Sequence, residues 1–304
     1  MDLRQLTTLV AIAEHGSFSS AARALYTVQS NVSAHIAKLE RTLGVSLVER
    51  TTGRLTEEGQ RVVDGARRIL NELDDIRSDI TSADTDVAGD ARIGVIGTVA
   101  RWLMAPLLNR VAAEHPRVHP IISEGSTSAL IPNVVSGHLH AALVHLPLDE
   151  ADLDVRPLFE EELVLLIPPS HQLADRPPTQ LSDLDGVPLL LPPRGSALRR
   201  VLERAAADAD IGLVAMSEID GVRLLAALAL DGHGAAIVPA PGIAAEPDSG
   251  AIIARPDGLP RRTVGLATRR RPRPSAATRV VIDALEETIN ELLDPDTGVH
   301  RLQQ

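Results

Sequence analysis

Gln29, Ser30, Asn31 and Ser33 stand together, and Lys38 and Arg41 follow them. Amide and hydroxyl side chains pair with base edges and cations pair with phosphates, so a helix carrying them in this order is suited to enter a DNA major groove by its N-terminal end. The spacing agrees. Val32, Ile36, Leu39 and Leu43 recur at three- and four-residue intervals and form one apolar stripe, while Ser30, Ala34, Ala37, Lys38 and Arg41 share the opposite face. An ordinary helical hairpin with a solvated polar face has the same pattern, so both readings stand on periodicity alone. Arg50 and Arg54 flank a turn at 51–53, where a guanidinium can pair with phosphate, enter the minor groove or simply be solvated.

Bond-breaking chemistry finds no comparable constellation. In GHGAAIVP, residues 232–239, the glycines precede an apolar run instead of opening a helix, and no third glycine follows at dinucleotide-loop spacing. His115 and His119 lie on either side of Pro116, and His138 and His140 beside Gly137, so neither pair has the HExxH spacing of a zinc enzyme. There is no Gly-x-Ser-x-Gly elbow. The expectation is a protein that is not an enzyme and uses neither metal nor cofactor. With no cysteine, the chain also lacks any thiol for redox sensing.

The elements that must position the polar helix are short and helical. Leu3, Leu6, Leu9, Val10 and Ala13 predict a first helix stopped by Gly16. A second, at 19–25, packs through Ala21, Ala22 and Leu25, and small residues at that crossing let two helices approach closely. Tyr26 and Thr27 make the turn, with Thr27 as expected N-cap. Residues 45–48 and 54–55 predict a small hairpin. From Thr56, an N-cap followed by Glu57 and Glu58, a long helix runs to about residue 82. Its apolar positions Val62, Ala66, Ile69, Leu73, Ile76 and Ile80 are spaced four, three, four, three, four, a heptad seam. The seam is expected to pair two subunits, the alternative being packing on its own domain. Residues 83–90, small and polar, read as a hinge.

The chain has 304 residues, 44% hydrophobic, enough for two domains and a linker. Its net charge of -11 is unevenly spread. Residues 1–70 hold nine Arg or Lys against seven Asp or Glu, leaving 21 against 34 beyond, so the acid lies away from the polar helix. No run approaches a membrane span and no leader precedes the first helix, which predicts a cytoplasmic protein. Beyond residue 90, short apolar runs (93–96, 119–122, 141–145, 163–167, 188–191, 235–238, 264–267) alternate with helical stretches (107–114, 129–136, 197–207, 221–230, 276–293). Such alternation predicts parallel sheets with crossover helices, as two α/β lobes with a cleft at the strand C-termini.

Residues 1–60 resemble the winged helix-turn-helix of LysR-type transcriptional regulators, through MDLRQL, EHGSFSSAARAL, QSNVSAHIAKLERTLGVSLVER and LTEEG in order. Two positions depart from that pattern. Val28 replaces the usual Ser or Thr before the opening Gln, which moves the expected cap to Thr27. Val48 replaces the usual Phe, which should loosen the wing's packing. A looser similarity continues through RIGVIGTVARWLMAPLL, EGSTSALIPNVVSGHLHAALV and GHGAAIVPA.

The resemblance implies an α+β multidomain chain with a winged helix-turn-helix at 1–58, a linker and dimerisation helix with hinge at 59–90, and a tail at 295–304. Between them lies a two-lobe, periplasmic-binding-protein-like effector domain at 91–294, lobe I being 91–162 plus 266–294 and lobe II 163–265. It implies DNA contacts from Gln29, Ser30, Asn31, Ser33, Ala34, Lys38, Arg41, Arg50 and Arg54. In the cleft, Ser126 opens a helix after the second strand, where backbone N–H groups gather. Thr98, Thr127, His145, Arg194 and Ile219 match the family's effector pocket. Expected partners are double-stranded promoter DNA, a second copy in a homodimer or homotetramer, a small effector of anionic or polar character, RNA polymerase, and no membrane. A chromosome-organising DNA binder without ligand sensing and a two-lobe solute receptor are the alternatives.

Overall fold

The computed structural model describes residues 1–49, 52–81, 87–243, 250–271 and 273–302. Arg50 and most of the expected hinge, at 83–86, therefore lie outside the described residues. The chain divides into two compact units, the first being Met1–Thr81 with Ser136–His138.

In the first unit, α1 (Leu3–His15) starts at a capping box in which Asp2 accepts from the N–H of Gln5 and the Gln5 side chain returns to the N–H of Asp2. It stops at Gly16, whose φ of 72° is left-handed. Helix α2 (Phe18–Ala24) is capped by Ser17. Helix α3 (Gln29–Leu43) buries Val32, Ile36 and Leu39, three of the four stripe positions; Leu43, in its last turn, is exposed. The expected cap is corrected: Val28 is the N-cap and makes no side-chain hydrogen bond, while Thr27 Oγ1 accepts from Asn31 Nδ2 at 3.0 Å. Among the described residues the wing pairs at a bridge between Val48 and Leu55, with the N–H of Glu49 donating to the carbonyl of Arg54 and that of Thr56 to the carbonyl of Leu47, and Leu47 and Val48 are fully buried.

Helix α4 (Glu57–Thr81) begins where Thr56 Oγ1 accepts from the N–H of Gly59. Gly59 is needed there, because a Cβ would collide with the carbonyl oxygen of Leu47. The expected seam divides. Val63 and Ala66 are buried in the core of α1–α3, with Val62 and Leu70 packed against it, because Ala66 is small enough to seat the helix on its own unit. Ile69, Ile76 and Ile80 remain exposed, Ile80 at 79%.

The second unit is two lobes on one long strand. Lobe I holds β1 (Gly89–Val95), β2 (Val118–Glu124), β3 (Ala141–His145) and β9 (Arg261–Arg269), with α5 (Gly97–Glu114), α6 (Thr127–Val135) and α9 (Ala276–Leu292). Lobe II holds β5 (Pro188–Leu191), β6 (Val214–Glu218), β7 (Ala236–Pro239) and β8 (Ile252–Ala254), with α7 (Ala197–Asp208) and α8 (Val222–Leu230). Strand β4 (Leu153–Ile167) belongs to both, and the order is β2-β1-β3-β9-β4-β7-β5-β6.

The sheet is mixed, not parallel throughout. The pairs β1–β2, β1–β3, β5–β6 and β5–β7 are parallel, but β3–β9, β4–β9 and β4–β7 are antiparallel, because the chain crosses between lobes and returns. The apolar run at 163–167 is buried on both faces: Leu163, Leu165 and Ile167 pack with Leu198 and Leu202 of α7, Val164 and Leu166 with Leu225 and Ala229 of α8. In the expected tail, β10 (Val299–Arg301) pairs with β4.

Candidate functional site

On α3, Gln29, Ser30, Asn31, Ala34, Lys38 and Arg41 are exposed and Ser33 is half-buried. Ser30, Ala34, Lys38 and Arg41, at successive offsets of four, four and three, share one outward face. Gln29 Oε1 accepts from Ser19 Oγ at 3.0 Å, which ties the opening of α3 to α2, and Arg41 Nε donates to the carbonyl of Ala37 at 3.2 Å. Arg54, on the wing, is exposed.

One positioning residue, Glu40, escaped the sequence pattern, and the turn residue Tyr26 has an unexpected conformation. Glu40 Oε1 accepts from the N–H of Leu47 at 2.9 Å and of Val48 at 3.3 Å, fastening the wing to the end of α3. Tyr26 is 98% exposed and holds φ at 51°, a left-handed conformation uncommon for a bulky residue. It presents a phenol at the turn before α3.

The second set gathers where the strands of the two lobes end. Thr98, in the first turn of α5, is buried, and its Oγ1 accepts from Arg262 Nη2 at 2.7 Å and donates to Glu161 Oε2 at 3.3 Å. Arg262 Nε reaches the same Oε2 at 2.7 Å. Glu161 is 0% and Arg262 2% exposed. Burial pushes the Arg262 pKa down, and the charge and hydrogen bond of Glu161 oppose it. His145, at the end of β3, is held well below the usual imidazole range, by burial first and the Arg262 charge second, so it is neutral.

Thr127 Oγ1 accepts from the N–H of His145 at 3.1 Å, and Ser126 Oγ caps α6 through the N–H of Ala129 at 3.3 Å. Across the cleft Arg194 is exposed, its Nε 3.8 Å from Glu218 Oε1 and its N–H donating to Glu218 Oε2 at 3.2 Å. The N–H of Ile219 donates to the carbonyl of Leu191. Buried Arg199 backs this rim, holding the carbonyl of Pro192 at 3.2 Å and lying 3.6 Å from Glu218. The lobes are joined at the cleft mouth by Arg223 Nη2 and Glu124 Oε1, 2.7 Å apart.

Thr98, Thr127 and His145 thus come together with Glu161 and Arg262, which the sequence reading did not name. Arg194 and Ile219 stand on the opposite rim. A cavity of about 570 Å³ opens beside this site between α5 and α8, lined by Arg101, Met104, Glu124, Arg223, Ala227 and Asp231 among others, and none of the expected effector residues lines it. Among the described residues no group of three or more His, Cys, Asp or Glu can hold a metal ion, and no helix is long and apolar enough to cross a membrane.

Residues 3–60 match the family model for the bacterial regulatory helix-turn-helix protein, lysR family, and residues 85–290 match the LysR substrate binding domain. The chain belongs to the LysR family. As a LysR-type regulator it is a DNA-binding transcriptional regulator with an effector-binding domain. It is 31% identical over 303 residues, 97% of this chain and 96% of the relative, to the DNA-binding transcriptional dual regulator OxyR of Escherichia coli (strain K12). A probable hydrogen peroxide-inducible genes activator of Streptomyces viridosporus is 30% identical, covering 95% of each chain. Among solved structures, a full-length OxyR variant from Pseudomonas aeruginosa shares the fold with a TM-score of 0.74 at 24% identity, covering 100% of this chain and 99% of that one. A regulator built on two LysR modules leaves no place for a free-standing solute receptor.

Proposed function

We propose that this LysR-type regulator reads operator DNA with the first turns of α3, pairs with a second copy through the far half of α4, and responds to a small polar effector seated between the two lobes. The observation that carries the reading is the division of α3 into a face buried at Val32, Ile36 and Leu39 and a face that holds Gln29, Ser30, Asn31, Ala34, Lys38 and Arg41 in water. Side chains that reach base edges come first along this face and phosphate partners later. The wing adds Arg54, and Arg50 stands with it by sequence. Domain limits of 1–58, 59–90 and 91–294 follow from this division of labour.

Oligomer formation rests on Ile69, Leu73, Ile76 and Ile80, which continue the heptad beyond the residues that α4 uses on its own unit. Val62 and Ala66 belong to the core instead. Two readers in one assembly gain operator affinity by effective concentration. Closure of the lobes around the effector alters the spacing of the readers, and with it DNA bending and access of RNA polymerase. The protein acts in the cytoplasm, at the nucleoid, and not as an enzyme.

Several relatives are named as hydrogen peroxide-inducible activators. In a chain without cysteine, a peroxide response cannot come from thiol oxidation, and reversible binding in the cleft is the route proposed here. The seat offers Thr98, Thr127 and His145 from lobe I and the rim at Arg194 and Ile219 from lobe II, with Ser126 at the start of α6.

The test begins with genome-wide mapping of bound sites to supply an operator. Ile69→Asp with Ile76→Asp is then compared with wild type by sedimentation and operator titration. Smaller species together with an operator affinity lower by about 100-fold or more are expected. An unchanged oligomer with unchanged affinity rejects α4 as the pairing surface.

A further inference from the structure

The register of the crossover strands sets three polar side chains on one face. Glu161 on β4 lies opposite Arg262 on β9, and His145 on β3 lies opposite Val264, two residues further along β9. All the donors around Glu161 converge on one oxygen. Arg262 Nε at 2.7 Å, Arg262 Nη2 at 2.5 Å and Thr98 Oγ1 at 3.3 Å all meet Oε2. Three buried atoms are left without a partner: Glu161 Oε1, Arg262 Nη1 and His145 Nδ1.

We propose that Glu161 is a resident counter-anion that fills the anion seat formed by Arg262 and Thr98, and so restricts the interlobe cleft to a small uncharged hydroxylic ligand. This rests on the reading of the cleft as the effector seat. Arg262 is the one cation buried at the cleft floor among the described residues, and its charge is already balanced inside the chain. A carboxylate or phosphate entering here would meet Glu161 in a site that water does not screen. The leftover atoms are an acceptor, a donor and the nitrogen of a neutral imidazole, which acts as either according to tautomer. A group that both donates and accepts, an alcohol or hydroperoxide O–H, satisfies them, and a simple carboxylate, which only accepts, does not. Packing at the floor limits size, since a Cβ at Gly242 would lie only 3.1 Å from Thr98 Cγ2.

Glu161→Ala removes the resident carboxylate and leaves Arg262 facing the vacated space. Full-length wild type and Glu161→Ala are titrated with sodium acetate and with inorganic phosphate at constant ionic strength, using chloride as reference and following the melting of Trp102 fluorescence. Wild type should gain nothing from either anion beyond chloride, and the variant should be stabilised saturably by acetate, with an apparent Kd at least tenfold lower than any wild-type response. Equal acetate binding by both proteins, or a folded Glu161→Ala indifferent to acetate, overturns the proposal. Should Glu161→Ala fail to fold in chloride, recovery of its melting transition in acetate supports the proposal and failure to recover overturns it. A thermal-shift screen of small metabolites on wild type tests the ligand class: an anionic hit whose stabilisation is lost in Thr98→Val overturns it, and an uncharged hydroxylic hit lost in the same variant supports it. Operator binding separates the two layers. Acetate that binds Glu161→Ala without changing operator affinity upholds the anion seat and rejects the cleft as the switch; an anion that changes wild-type operator affinity through Thr98 upholds the switch and rejects the seat.

Discussion

In the unit built on α1–α4 the side chains proposed for recognition point into water, and among the described residues the core beneath them holds only Gln5 and Thr8 as buried polar groups. In the two-lobed unit the side chains that gather at the cleft are themselves buried, with Thr98, Glu161 and Arg262 all inside. The first arrangement leaves recognition to groups whose removal costs the fold little. The second makes the site part of the structure, so a change there is felt as stability as well as specificity.

The largest expected effect tests this contrast directly. Arg262→Met leaves Glu161 buried and unpaired and should destabilise the two-lobed unit by about 3–5 kcal/mol. Arg54→Met, on the exposed wing, should stay within about 0.5 kcal/mol. Combining Arg262→Met with Glu161→Leu should recover most of the loss, because the unpaired charge is gone. Trp102, the one tryptophan of the chain, packs edge-on to Phe159 at 5.4 Å, so its fluorescence during urea unfolding reports this unit. Equal losses for Arg262→Met and Arg54→Met would erase the distinction between the two regions.

Next comes acid. His140 is buried, hydrogen-bonded to Thr278 Oγ1 at 2.8 Å, and its pKa is lowered to about 4 by burial first and by the charges of Arg92 and Arg269 next, with Asp90 opposing. The fold therefore favours the neutral ring. Its contribution is complete above the unfolded value near 6.5 and is lost as pH falls from there to about 4, a change of ~3 kcal/mol. Trp102 unfolding measured across that window should show the slope, and His140→Gln should reduce it, leaving the part that buried His145 contributes. An equal slope in the variant would assign the acid sensitivity elsewhere.

On the reading face the effects are smaller and fall on selectivity. Gln29→Ala should cost about 1–3 kcal/mol in discrimination between operator and scrambled DNA, with helix content unchanged. Anisotropy titrations that show the same discrimination would remove Gln29 from the base-reading set. The smallest effect is a gain: Val28→Ser supplies the side-chain acceptor that α3 lacks and should stabilise its first turn by about 1 kcal/mol. Hydrogen exchange at the amides of Ser30 and Asn31 is the measurement, and unaltered protection would mean that Thr27 already serves the turn.

The same contrast explains what the sequence made legible. An exposed polar face beside a buried stripe is a periodic signal, and α3 was readable to within its last residue, Leu43. The cap was not, because Val28 has extended backbone at φ -94° without a side chain to mark it. In the two-lobed unit the apolar runs locate most strands, and those at 141–145 and 188–191 coincide with β3 and β5, but the runs at 163–167 and 264–267 start after the charges of β4 and β9. Glu161 alternates with buried Phe159 and Leu163, and Arg262 with buried Val264 and Leu266, so the period of two did point both inward. What concealed them was that neither charge makes sense in a core until its partner, about a hundred residues away, is beside it. Strands β6 and β8 escaped for another reason, one being an exposed edge and the other three residues long. The helical stretch expected at 107–114 is the second half of α5, which starts at Gly97 and runs through Pro106.

Strand β4 pairs with β9 up to Glu162 and with β7 from Leu163 onward. The changeover from one lobe to the other thus falls one residue after Glu161. A group bound at that place presses on the fulcrum of the two lobes and not on their rims, where Arg223 and Glu124 meet. A small change of backbone angle at such a joint displaces the far ends of both arms by much more. If the effector seats there, as proposed, a ligand of very few atoms would be enough to reset the angle between lobes of roughly a hundred residues each, as a shim under a beam resets its tilt.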